Sequence, residues 1–85
     1  MEKIFKVEWC YYELDHNVEV KVKGNGKYID ISIRWEGDEE WIEADSLKRT
    51  RDFNVRNYCK ADAEVFVMGY GYILPQPKLT QQTTQ

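Results

Sequence analysis

The sequence predicts an all-β fold: a small five-stranded antiparallel barrel with one short helical turn. Three observations carry that expectation. Apolar and polar residues alternate strictly on both sides of the "GNGK" stretch at 24–27. Other short segments of strand-like composition precede and follow it. Aromatic residues make up 14% of the 85 positions, and large rings let a small sheet fill its interior with few side chains. A chain of this length buries about 60–65% of its unfolded surface, enough for one thin core. A single domain over 1–74 is therefore expected. Residues 75–85, "PQPKLTQQTTQ", hold two prolines and no apolar period, the composition of a disordered tail or linker.

The elements follow in chain order. In "IFKVEWCYY" (4–12), Phe5, Val7, Trp9 and Tyr11 share one face, which predicts a first strand. "ELDHN" (13–17) has the composition of a turn. Val18, Val20 and Val22 then alternate with Glu19, Lys21 and Lys23, and Ile29, Ile31, Ile33 and Trp35 alternate with Tyr28, Asp30, Ser32 and Arg34. Period-two alternation of this kind gives strands with one buried face. Asn25-Gly26 is the favoured pair for a two-residue type I′ turn. That turn would pair Val22 with Ile29, Val20 with Ile31 and Val18 with Ile33, and set Lys21 opposite Asp30. "EGDE" (36–39) is a tight turn leading into a short strand, "EWIEA" (40–44). Asp45 or Ser46 is expected to cap a helical turn beginning near Leu47. "AEVFVMGYGYIL" (63–74) is apolar on both faces, as expected of a fifth strand covered on each side.

Charge and motifs narrow the function classes. A formal charge of −3 and a pI near 5.1 argue against wholesale nucleic-acid binding, which rests on neutralising phosphates. The charge is uneven, however. Residues 36–45 hold Glu36, Asp38, Glu39, Glu40, Glu43 and Asp45 with no base, whereas 48–60 hold Lys48, Arg49, Arg51, Arg56 and Lys60 against Asp52 alone. No apolar run approaches membrane-spanning length and no signal peptide precedes the first strand, so an intracellular protein without a membrane partner is expected. Cys10 and Cys59 are expected as thiols, and with only His16 beside them they make no zinc site. No catalytic motif and no cofactor motif is present. The expectation is a non-enzymatic interaction module.

Two stretches offer a site. Trp35 continues the inward face of Ile29, Ile31 and Ile33 at the end of its strand, and Trp41 opens the next strand across the acidic turn. Two indoles beside carboxylates can box a methylated ammonium by cation–π attraction and charge pairing. The plainer alternative is that both rings plug the barrel end. The segment 48–60 interleaves bases with Phe53 and Tyr58. It is either a phosphate contact with stacking rings or a solvated connector anchored by two aromatics.

"VEVKVKGNGKYIDISIRWEGDEEWIEADSLKR" (18–49) resembles the central strands of a Tudor or chromo-barrel domain of the Royal superfamily. Ile33-Arg34-Trp35 matches the family's hydrophobic-x-aromatic strand end, Leu47-Lys48-Arg49 matches its closing step, and "EEWIEADSL" is similar to the chromo-barrel "DEWV" stretch. The resemblance implies an SH3-like, Tudor-type barrel that recognises a basic or methylated lysine or arginine peptide of histone type, as a nuclear chromatin reader. It implies a cage with Trp35 as one wall, Tyr11, Tyr12 or Trp9 as a wall from the first strand, and Asp38, Glu39 or Glu40 as the acid. Trp41 would be largely structural. Two alternatives of different class stand beside it: a nucleic-acid-binding barrel using Lys48, Arg49, Arg51, Arg56 and Lys60, and an acidic inhibitor or immunity-type protein covering a basic site on a partner. The oligomeric state is left open.

Overall fold

A computed structural model describes residues 1–11 and 14–75. They form four strands, β1 (Glu2–Tyr11), β2 (Leu14–Asn25), β3 (Tyr28–Trp35) and β4 (Ile42–Lys48), then helix α1 (Lys60–Tyr70) and a 3-10 turn (Gly71–Ile73). All neighbouring strands are antiparallel, in the chain order β1-β2-β3-β4. The fold is mostly β, but the sheet stays open. Where a fifth strand was expected, a helix packs on one face.

The hairpin of β2 and β3 forms, two residues away from the expected register. Val22 faces Ile31, Val20 faces Ile33, Val18 faces Trp35, and Lys23 rather than Lys21 faces Asp30. A slip of two residues returns every side chain to its own face, so alternation alone does not choose between these registers. The turn chooses. Asn25 closes the ladder opposite Tyr28, its amide donates to the Asp30 carboxylate at 2.9 Å, and Gly26 takes the positive φ of 63° that the loop requires. The loop is thus Gly26-Lys27.

Three further expectations are corrected. Residues 14–17 belong to β2 rather than to a turn, with His16 paired to Trp9. β4 runs through Asp45 and Ser46 to Lys48, so no helical turn begins near Leu47. Both polar residues find partners: Ser46 Oγ donates to Asp30 on β3 at 2.7 Å, and the Asp45 carboxylate accepts the Tyr70 hydroxyl from α1. The strand absorbs a bulge at Ala44, since Ile31 pairs with Asp45 but Ser32 pairs with Glu43. Finally, the segment expected as a strand over 63–74 is helical through Ile73. Ala63, Phe66 and Val67 are buried and Tyr70 half-buried, the i, i+3, i+4, i+7 stripe of a helix. The Asp62 carboxylate accepts the Cys59 N–H at 3.0 Å, closing the first turn as a capping-box acid does.

The core lies between the helix and one sheet face. Val18, Val20, Val22, Ile29, Ile31 and Ile33 are fully buried, each contributing about 1.5–3 kcal/mol over an exposed position. Val55 and Tyr58 from the 49–59 connector complete it at the turn end of the sheet. Gly71 lies against the Trp9 ring, with room for nothing larger. Pro75, expected as the first tail residue, supplies a carbonyl that accepts the Trp35 indole N–H at 2.7 Å. The tail expected over 76–85 lies outside the described residues.

Candidate functional site

The sheet carries opposite charge at its two ends. The strands set this, because β3 ends and β4 begins at the acidic 36–41 turn, while β4 ends opposite Tyr28 and hands the chain to the basic connector.

At the acidic end the expected cage residues divide between faces. Trp35 is only 6% exposed and faces the core. Its ring stacks on Trp9 at 6.1 Å between centroids and 19° between planes, with His16 edge-on at 5.3 Å. Trp41 lies on the opposite, polar face. Its ring covers two of the chain's own cations, with Arg34 Cζ at 4.1 Å and Lys21 Nζ at 4.7 Å from the centroid. Arg34 in turn pairs with Glu19 at 2.7 Å and donates to the Glu39 carbonyl at 3.3 Å. Tyr11 ends β1 opposite Leu14, and Tyr12 lies outside the described residues. Asp38, Glu39 and Glu40 line a shallow hollow of 450 Å³ with Gly37 and Ile42. Glu36 is already engaged by Lys6 at 2.6 Å and Asn17 at 2.9 Å. Those hydrogen bonds, Lys6 first, hold its carboxyl below the ordinary range.

At the basic end the connector folds into a defined shape. Phe53 N–H donates to Thr50 Oγ1 at 2.9 Å and Asn57 N–H to Asn54 Oδ1 at 2.9 Å. Arg49 N–H donates to the Lys27 carbonyl at 2.7 Å. Lys3 Nζ crosses from β1 to the carbonyls of Arg56 at 2.7 Å and Tyr58 at 3.0 Å, tying the connector down. Its two rings turn inward and meet edge to face at 6.0 Å. Burial, then the nearby Asp62 and Cys59 charges, pushes the Tyr58 hydroxyl up to about 12. The bases point the other way.

Arg49 and Arg56 come together with Met1 around an open cleft of 670 Å³, lined also by Gly24, Gly26, Thr50, Asn54 and Val55. Lys48, Arg51 and Lys60 are exposed but do not line it. Two guanidinium groups and a hydroxyl give such a cleft donors and positive charge, the chemistry that holds an oxyanion. Sequence reasoning missed Met1, Thr50 and Asn54, which no pattern links to the two arginines. It also missed Tyr28, 49% exposed and paired with Lys48. Its signal was visible: an aromatic in the outward phase of β3.

Among the described residues no group of three or more His, Cys, Asp or Glu could hold a metal ion, and Cys10 and Cys59 are free and exposed. No described helix is long and apolar enough to cross a membrane. No protein-family model, curated protein or solved structure matches the chain.

Proposed function

We propose that this chain is a non-enzymatic binding module that takes an anionic partner, the phosphate backbone of single-stranded nucleic acid, at its basic end. One observation carries the proposal: Arg49 and Arg56 of one connector line a single open cleft with Met1, remote from them in sequence. Tyr28, exposed beside Lys48, supplies a face on which a base can stack. The acidic residues that make the net charge negative cluster at the other end of the sheet, so the local field at the cleft stays attractive to phosphate. The test is anisotropy of a labelled single-stranded oligonucleotide across a salt series. The Arg49 and Arg56 guanidinium groups on phosphate give a log–log slope of about −1.4, at about 0.7 per contact. Arg49→Gln with Arg56→Gln should bring that slope close to zero. Salt-insensitive binding, or an unchanged slope in the double variant, would refute the proposal.

A second reading, recognition of a basic or methylated peptide, rests on the hollow lined by half-buried Asp38 and exposed Glu39 and Glu40, with Trp41 next in sequence. In it the acids do the binding while Trp41 exchanges its own cations for the ligand's. Asp38→Asn with Glu40→Gln should then weaken a methylated peptide and leave oligonucleotide binding untouched.

A further inference from the structure

Among the described residues no strand pairs with the outer edge of β1. β1 is a terminal strand of the sheet and is regular over ten residues. The opposite edge strand, β4, is interrupted by a bulge and carries Glu43 and Asp45, devices that blunt an edge. Gly24 N–H donates to the Met1 carbonyl at 3.1 Å. Alternation from that bond directs the backbone groups of Lys3, Phe5, Val7 and Trp9 at β2 and leaves those of Ile4, Lys6, Glu8 and Cys10 pointing outward.

We infer that two copies join β1 to β1 antiparallel about a two-fold axis at Val7, continuing the sheet across both molecules. Charge complementarity selects one register. Outward-bonding residues must pair with one another, so the two-fold registers that align about seven or more residues of each strand centre on Phe5, Lys6, Val7 or Glu8. A centre at Lys6 opposes Lys6 to Lys6, a centre at Glu8 opposes Glu8 to Glu8, and a centre at Phe5 opposes Glu2 to Glu8. Only the Val7 centre sets Lys6, which also holds Glu36 at 2.6 Å within its own chain, against Glu8, and the symmetry does so twice. It also sets Ile4, 51% exposed, against the exposed Cys10. On the core face it brings Phe5 of one copy against Trp9 of the other, both only partly buried in the single chain. Lys6 and Glu8 thus discourage the other registers and favour this one. The pairing is independent of the anion cleft, which lies at the turn end of the sheet.

Sedimentation velocity of the full chain over a concentration series tests it. The wild type should show a concentration-dependent dimer. Lys6→Glu alone and Glu8→Lys alone should each weaken dimerisation by about tenfold or more, about 1.4 kcal/mol, with far-UV circular dichroism unchanged. An equimolar mixture of the two variants should form a heterodimer, because both cross-strand pairs are again opposite in charge, and Lys6→Glu with Glu8→Lys in one chain should restore the homodimer. A wild type monomeric at the highest soluble concentration would overturn the inference. So would single variants that dimerise like the wild type, or a mixture that stays monomeric.

Discussion

Replacing Gly71 with alanine should cost stability although its backbone is ideally suited to alanine. Gly71 has φ −58° and ψ −23°, ordinary helical values, so the substitution by itself should stabilise by about 0.4–1 kcal/mol through the unfolded chain. The packing reverses the sign. An added Cβ would lie 2.3, 2.5 and 2.8 Å from three carbons of the Trp9 ring, whereas carbons in good contact sit about 3.5–4.0 Å apart. The ring must move by roughly an ångström, and its stack on Trp35 limits where it can go. Overpacking of this kind costs about 1–3 kcal/mol, leaving a net loss of about 1–2 kcal/mol. In a domain this small that lowers Tm by about 5–15 °C. Urea and thermal unfolding followed by far-UV circular dichroism measure it. Gly69→Ala is the matched control: nothing lies within 4 Å of its Cβ, and it should gain about 0.5–1 kcal/mol as a helix-interior glycine removed. Trp9→Leu in the Gly71→Ala background should recover most of the loss, when each is compared with its own parent. A Gly71→Ala protein as stable as the wild type would refute the close approach and the position of the helix end with it.

Alkaline titration offers a second test. The Tyr58 hydroxyl is raised from 10 to about 12, chiefly by burial, so the folded state holds its proton after the unfolded state has lost it. Its contribution to stability should be full below about pH 10 and fall by about 2–3 kcal/mol toward pH 12, a decline that Tyr58→Phe removes. Tyr70→Phe should lower the urea unfolding midpoint, because the Asp45 carboxylate loses its helix partner. Trp41→Ala should cost only about 0.5–1 kcal/mol, the worth of exposed cation–π contacts. A loss several times larger would place that ring in the core after all.

Period-two patterns told which face each hairpin residue takes, and Val18 through Trp35 obey them. They could not tell the register, because a two-residue slip preserves every face; Asn25 and Gly26 decided it. The helix was hidden by its own surface. Val65, Met68 and Tyr72 are 67%, 78% and 78% exposed, so the segment is apolar all round and resembles a strand covered on both sides. The buried spacing Ala63, Phe66, Val67, Tyr70, with Asp62 ahead of it, was the signal that separates the two. Polar composition concealed the length of β4, since Asp45 and Ser46 are satisfied by partners remote in sequence. The cleft was half legible: the basic segment stood out, but only the fold brings Met1 to Arg49 and Arg56.

The division of the three tryptophans between the two sides of the sheet gives the molecule separate optical channels. Trp9 and Trp35 form a closely stacked pair inside, near enough for their excited states to couple, so the pair should give an exciton signature in circular dichroism that vanishes when the interior opens. Trp41 lies outside against two cations and should account for most of the emission that acrylamide quenches. A solute binding at the acidic turn would alter the quenchable fraction and spare the exciton band, whereas loss of the interior would erase the band first. Occupancy and unfolding can therefore be followed at once in the unlabelled protein.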